Sequence, residues 1–570
     1  MNPLLESCDL LVVGSGAGGL SAAVTAAHLG LDVVVVEKHA QFGGTTAWSG
    51  GWMWLPRNPL AVAAGIVEDI GEPRRYLRHL LGEQFDAARI EAFLAHAPAA
   101  VRFHLDNTAL RFIDGNSVPD FHAAAPGARA GGRSVCAAPF DGRRLGARLA
   151  SLRAPCNLLS FLGMSIGGGA DLRHFLRASR APDSFLYVAK RIARHAYDGL
   201  RHGRGTTLMG GNALAAALLK SALDRGVKLF ASHGAMRLLL EGGRVVGAEI
   251  QTPNGARTIR AQRGVVLAAG GFAHDAERQR RLRAEHASAA PLENTGDGLR
   301  LAEAAGARID VSAQAIAWAP VSLVPRKGGS AGAFPHLVER GKPGLIAVAR
   351  DGQRFVNEAG DYFSFMRALF AHNARQLPNE PVQAWLLADH RFQRRFGLGH
   401  SKPGPLPLGP SLKSGYLKRG NSLDELAREC GIDANALART VANFNLHAAE
   451  GRDPQFQRGG TPYERMQGDA EHRGPNPCVA PIVQAPFYAV RIVPGSLGTF
   501  AGIASNEHAQ ALDAQGRAID GLYTCGNDMA SVMGGHYPSG GITLGPALTF
   551  GYLLAHHAAG LPPPATETAT

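Results

Sequence analysis

The segment DLLVVGSGAGGLSAAVTAAHLGLDVVVVEK, residues 9 to 38, constrains the fold more than any other. Leu10 to Val13 is a short apolar run of the kind that forms a buried parallel strand. Gly14, Gly16 and Gly19 follow as GxGxxG, then an alanine-rich helical pattern stopped by Gly30, then a second strand from Asp32 to Val36 with Glu37 at its end. The first glycine makes the turn, and the second lets a pyrophosphate approach the helix N-terminus. The third packs helix on strand, and the acid accepts from a ribose hydroxyl. The spacing therefore predicts a dinucleotide site on a parallel sheet. Ala17, Gly18 and Lys38 belong to the same candidate set.

A second glycine-rich stretch, FGGTTAWSGGWMWLP from Phe42, follows Glu37 closely. Gly43, Gly44, Thr45, Thr46, Ser49, Gly50 and Gly51 are small enough for a loop to lie flat along an extended cofactor. Trp48, Trp52 and Trp54 argue against a fully exposed loop. A third, HYPSGGITLGP from His536, sets Tyr537 among small residues, with Gly534 and Gly535 just before. Glycines in such number let a backbone approach something that is not protein.

These stretches carry a family likeness. GSGAGGLSAA, EKHAQFGGTTAWSGGWMWLP, TTLMGGNAL, GVVLAAGGFAHD, NTGDGLRLAEAAGA, RFVNEAGDY and GLYTCGNDMASVMGGHYPSGGITLGPALTFGY lie in order over nearly the whole chain. Together the sequence resembles the flavoproteins related to fumarate reductase, and within them the 3-ketosteroid 1-dehydrogenase branch. The resemblance implies an α/β fold with a discontinuous Rossmann-like FAD-binding domain and an inserted α+β substrate domain. On that reading FAD occupies 1–313 and 497–570, the substrate domain is 314–496, and 151–205 is an insertion acting as a lid or membrane contact. It adds Ala269, Gly270, Asn294, Asp297, Gly526, Asn527, Gly541 and Leu544 to the candidate FAD contacts, with Asp528 a further candidate for the ribityl chain.

The same resemblance implies the chemistry. The Tyr537 hydroxyl and the Gly541 N–H meet one substrate ketone, where two donors stabilise an enolate. Tyr362 takes the proton alpha to that ketone, and hydride leaves the beta carbon for the flavin. The implied reaction is 1,2-desaturation of a 3-ketosteroid, with a smaller cyclohexanone-type ketone or an enoate reduction as alternatives. A hydrophobic cyclic ketone and an external electron acceptor, a quinone or another, are the implied partners. A free phenol titrates near ~10 and needs help to act as a base. The family's helper is another tyrosine, but Phe121 stands there, with Val118 nearby. Tyr187, Tyr197 or a water are the candidate substitutes. Tyr362 could instead simply pack, Arg354 and Glu358 pair with each other, and His274 and His536 be bystanders.

Several strands and helices can be read directly. GRVVGAEIQTPNGARTIRAQRGVVLAAGG predicts two strands about a PNG turn and a third, apolar strand. Asn294 to Ala307 reads as a loop and short helix stopped by Gly306. SLDELARECGIDANALARTVANFNLHAAEG reads as two helices broken at Gly-Ile-Asp. Residues 540–552 read as a helix start with Pro546 in its first turn, preceded by a strand from Gly521 to Gly526.

Composition narrows the remaining classes. The formal charge is +12, yet no nucleic-acid motif accompanies it. Six scattered cysteines without CxxC support neither a metal site nor a disulfide framework, and a reducing, cytoplasmic setting fits. No apolar run reaches the length of a membrane span. In 185–201, Phe185, Leu186, Val188, Ala189, Ile192, Ala193 and Ala196 alternate with Lys190, Arg191, Arg194 and Arg201. That pattern predicts a basic amphipathic helix that lies on an anionic membrane, caps the site or makes an oligomer contact.

Overall fold

The computed structural model describes residues 6–326 and 328–564. Two large sheets organise it. The first runs in the order Gln510–Leu512, Ala518–Thr524, Gly255–Leu267, Ser7–Val13, Val33–Glu37, Lys228–Ala231. Its centre is parallel, with Leu10 opposite Val33 on one side and Gly264 on the other, and Val265 opposite Leu522. These strands are apolar almost throughout because both faces are covered. One face carries the helix Ala17–His28, packed against the helix Leu544–Ala559.

The stretch from Gly255 to Leu267 departs from expectation. It is one strand of 13 residues, not two. Its first half pairs antiparallel with Arg244–Thr252, and its second half runs parallel to Ser7–Val13 and Ala518–Thr524. A strand that changes partners needs no break, so the polar-to-apolar switch in its sequence marks a change of neighbours.

The second sheet is mainly antiparallel, in the order Ala331–Pro335, Ile316–Pro325, Phe487–Thr499, Ala384–Ala388, Leu345–Val348. Leu417–Gly420 also pairs with Phe487–Thr499, and Ala287–Ser288 joins the same strand in parallel. The helices Leu423–Cys430 and Ala434–Ala448 adjoin this sheet, separated at Gly431 as the Gly-Ile-Asp break predicts. Asp297–Ala304 is a helix ending just before Gly306. The strand predicted at Gly521–Gly526 spans Ala518–Thr524.

The insertion folds as two helices, Ala170–Arg177 and Pro182–His202. Ser184, Val188 and Asp198 face inward, and Arg191 pairs with the buried Asp171 at 2.7 Å. Phe185, Leu186, Tyr197 and Leu200 face outward, with Leu200 91% exposed. Among the described residues no helix is long and apolar enough to cross a membrane.

Candidate active site

One cavity of about 1080 Å³ runs from the first glycine loop to Tyr537. Its nucleotide end is built by Gly14, Gly16, Ala17, Gly18 and Gly19, by Glu37 and Lys38, and by Gly44, Thr45, Thr46, Ser49, Gly50 and Gly51. Ala269, Gly270, Asn294, Asp297, Gly526, Asn527, Gly541 and Leu544 line it further along. Gly43 does not line it. It lies just behind, where its N–H donates to Ser15 Oγ at 2.9 Å.

Local geometry explains the glycine loop. Gly14 has φ +109°, and a Cβ there would sit 2.2 Å from the Ala268 carbonyl oxygen, so no other residue fits the turn. The Ser15 hydroxyl donates to Glu37 at 2.7 Å, tying the loop to the end of the second strand. Thr46 Oγ1 accepts from the Ala17 N–H at 2.9 Å and joins the second glycine stretch to the first helix. Lys38 donates to Thr295 at 2.8 Å and to Asp297 at 2.5 Å, and Asn294 donates to Thr45 at 2.9 Å and to the Gly270 carbonyl at 2.7 Å.

Asp528 is placed differently from the expectation for it. It is fully buried and does not line the cavity. Its carboxylate accepts from the Ala269 N–H at 2.5 Å and the Gly271 N–H at 2.8 Å. It shapes the 269–271 loop from behind, while its neighbour Asn527 faces the cavity. Burial outweighs those two donors and pushes its acid dissociation up to about 6.

The far end of the cavity is aromatic. Tyr362 and Tyr537 meet edge to face, ring centroids 4.9 Å apart. Phe121 touches both, at 5.5 Å from Tyr362 and 5.9 Å from Tyr537, and Phe363 and Phe500 close the back of Tyr537. Burial pushes the Tyr537 phenol up to about 12, moderated by its hydrogen bond with Tyr362. Tyr362 is raised well above the usual phenol, first by burial and then by Tyr537.

Tyr362 opens the helix Tyr362–Gln376, whose N-cap is Asp361 accepting from the Ser364 N–H at 2.8 Å. The turn before it is held from inside. Arg354 pairs with Glu358 and Asp453 at 2.7 Å each, and Arg458 with Glu358 at 3.2 Å, all buried. Arg354 and Glu358 thus pair with each other and do not line the cavity. Breaking one member of such a set leaves an unpaired buried charge.

The Tyr537 loop is fastened to the N-terminal half of the chain. The Pro538 carbonyl accepts from the Tyr76 hydroxyl at 2.6 Å and the Phe121 N–H at 3.1 Å. Asp120, beside Phe121, accepts from Trp54 Nε1 at 2.9 Å and from Arg133 at 2.6 Å. Gly541 has φ +96°, and a Cβ there would lie 2.7 Å from the Trp52–Met53 backbone. Its carbonyl accepts from the Trp54 and Gly545 N–H groups, at 3.1 and 2.9 Å. Among the described residues its own N–H has no recorded acceptor, and the residue lines the cavity.

The structure does not bring Tyr187 or Tyr197 to this cluster. The Tyr187 hydroxyl donates to Asp171 at 2.8 Å, and Tyr197 is 57% exposed. Tyr463 stands there instead. It is buried with its ring 4.5 Å from Phe121, and its hydroxyl accepts from Gln467 at 3.0 Å. Burial raises this phenol, and the nearby Arg340 guanidinium opposes the rise. Arg340 is itself buried and bonds to the carbonyls of His336, Glu358 and Gly360. Tyr463 sits in TPYERMQ, which has no glycine context to flag it. His274 ties two loops, its N–H donating to the Asn294 carbonyl at 2.8 Å, and it does not line the cavity. His536 does not line it either.

Comparison with known proteins follows this geometry. The family model "FAD binding domain" matches residues 9–544. A 4-oxocyclohex-2-ene-1-carboxylate 5-dehydrogenase of Sinomonas cyclohexanicum is 39% identical, over 96% of this chain and 92% of the relative. A 3-oxosteroid 1-dehydrogenase of Mycobacterium tuberculosis is 36% identical, over 97% and 99%. The crystal structure of the 3-ketosteroid delta1-dehydrogenase from Sterolibacterium denitrificans superposes with a TM-score of 0.90 at 36% identity, covering 98% of this chain and 100% of that one. A flavocytochrome c3 fumarate reductase, at 21% identity and a TM-score of 0.62, shares the fold. The chain belongs to the FAD binding domain family, in its 3-oxosteroid 1-dehydrogenase branch, and is an FAD-dependent oxidoreductase acting on ketone substrates.

Proposed function

We propose that this protein introduces a C=C bond alpha,beta to a ring ketone, with 1,2-desaturation of a 3-ketosteroid as the leading reaction. The observation that carries the reading is the convergence of Tyr362, Tyr537 and the Gly541 N–H on the cavity that the glycine loops also line. Those loops fit FAD. The helices Ala17–His28 and Leu544–Ala559 both start at the cavity. Thr46 takes the Ala17 N–H and the Gly541 carbonyl takes that of Gly545, which leaves the Gly18, Gly19 and Leu544 amides for an anion or an electron-rich ring. Glu37 at the nucleotide end suits a ribose. When bound, FAD supplies the two-electron acceptor for the hydride leaving the beta carbon.

The protein's own groups handle the ketone and the proton. Tyr537, kept neutral by its raised pKa, donates to the ketone oxygen together with the Gly541 amide. Both donors strengthen as that oxygen gains charge. Tyr362 takes the alpha proton in its ionised form. Tyr463, whose phenol burial raises and Arg340 only partly lowers, serves the role for which Phe121 has no hydroxyl. The C–H bonds at the alpha and beta carbons break and one C=C bond forms.

In this reading residues 1–313 and 497–570 hold FAD, and 314–496 supply Tyr362 and Tyr463. The outward row of Phe185, Leu186, Tyr197 and Leu200, edged by Lys190, Arg194 and Arg201, rests on an anionic bilayer. Vesicles of phosphatidylglycerol would co-sediment the protein, and Phe185→Ser with Leu200→Ser would release it.

The direct experiment is to mix the holoprotein anaerobically with androst-4-ene-3,17-dione and follow the flavin band. Bleaching that Tyr537→Phe slows supports the reading. No bleaching by the steroid or by any cyclohexenone, in protein that dithionite reduces, refutes it. The 39% identical relative favours a second reading, in which the ring ketone is a single cyclohexenone ring.

A further inference from the structure

Of the cations that line the cavity, all that are sheltered from solvent are matched by a carboxylate, with one exception. Lys38 pairs with Asp297 at 2.5 Å, Arg153 with Glu293 at 3.0 Å, and Arg177 with Glu471 at 2.7 Å. Arg180 shares Glu471, and Arg173 is exposed to solvent. Lys342 is different. It lines the cavity next to Gln467, Gly468 and Asp469, which continue from the Tyr463 helix turn. Its ammonium donates to the Gly468 carbonyl at 2.7 Å, and among the described residues it has no ion-pair partner. Asp469 is near enough to favour its charge but is held by Arg395, as is Glu471. An ammonium has three N–H donors, and one carbonyl uses only one of them.

Lys342 is half-buried, and a sheltered charge with donors unspent is costly once a ligand displaces the cavity's water, unless that ligand brings the counter-charge. Burial lowers the Lys342 pKa from its ordinary value in keeping with this. The wall that carries Lys342 also carries Tyr463, whose ring touches Phe121 beside the two catalytic phenols. A ring ketone held at Tyr537 and Gly541 would therefore face this wall with its remote end.

We propose that Lys342 receives a carboxylate carried by the substrate, so that the protein selects an anionic ring ketone. This rests on the ring-ketone reading above. Two sources have that chemistry: a cyclohexenone bearing a ring carboxylate, and a 3-ketosteroid bearing an acidic side chain.

The test uses the holoenzyme, anaerobic rapid mixing and two acid–ester pairs. One pair is 4-oxocyclohex-2-ene-1-carboxylate and its methyl ester. The other is 3-oxoandrost-4-ene-17-carboxylate and its methyl ester. In the wild-type protein one acid should reduce the flavin with a kred/Kd about tenfold or more above its ester, as a charge-assisted pair predicts. The pair that shows the preference identifies the source. In Lys342→Met the acid-to-ester ratio should fall to about one, and Lys342→Arg should restore part of it. Ratios near one for both pairs in the wild-type protein overturn the proposal and leave the ring-ketone reading standing, whatever the variants do. A preference that survives Lys342→Met in flavin-loaded protein also overturns it. Failure of all four compounds to bleach the flavin overturns the ring-ketone reading, and the proposal with it.

Discussion

Phe121 meets Tyr362 edge to face, ring centroids 5.5 Å apart, so this aromatic neighbour of the candidate base has no proton to give or take. Tyr463 on the other side of Phe121 does. Tyr463→Phe should slow the reductive half-reaction about tenfold or more, within the range for acid–base groups. Adding Phe121→Tyr to that variant should recover part of the loss. Stopped-flow reduction of the three proteins measures this, and equal rates for wild type and Tyr463→Phe would remove Tyr463 from the mechanism.

In the proposed reaction Tyr537 and Gly541 donate to one oxygen. Removing the hydroxyl with Tyr537→Phe should cost about 10²–10³ in kcat, the range for a lost oxyanion donor. Gly541→Ala should be as damaging for another reason: its Cβ would press on the Trp52–Met53 backbone and its φ of +96° suits only glycine. A flavin spectrum shifted in Gly541→Ala but not in Tyr537→Phe would separate the two effects.

In the proposed reaction the phenols set the pH response. Tyr537 rises to about 12 and burial holds Tyr362 well above the usual phenol, so the donor stays protonated while the ionised base is scarce at neutral pH. The rate of flavin reduction should therefore climb with pH through 7 to 9 without a plateau. A plateau that begins below pH 7 would mean that the base is not one of these phenols.

Asp528 gives a stability signature. Its folded pKa, pushed up to about 6, lies above the ordinary carboxylate value, so the folded apoprotein holds that proton more tightly than the unfolded chain. The contribution is present below the unfolded pKa and is lost as pH rises through about 6, roughly 3 kcal/mol in all. Asp528→Asn should flatten that slope in melting curves between pH 4 and 7. It should also loosen FAD, because an amide NH₂ would face one of the two N–H groups that now donate to the carboxylate.

How legible the molecule was varied with the kind of signal. The first glycine loop, Glu37 and the Gly-Ile-Asp break were readable because each is a local backbone requirement. The single strand Gly255–Leu267 was not, since only its neighbours show that the polar half and the apolar half are continuous. Asp528 pointed away from the cavity for a tertiary reason, the unmet N–H groups of the 269–271 loop. Tyr463 and Lys342 carry no motif at all. They matter through what the chain folds beside them, which no spacing records.

The glycine loop at residue 14 and the Tyr537 loop are separated by most of the chain, yet they share one cavity. The strand Ala518–Thr524 lies beside Gly255–Leu267, and the helix Leu544–Ala559 packs on Ala17–His28. A ribosome adding ~5–20 residues each second makes the first long before the second, by about half a minute to two minutes. During that interval the early strands stand with one side of their sheet and one helix face uncovered. The cavity is therefore complete only once residues 537–544 have joined residues 14–19.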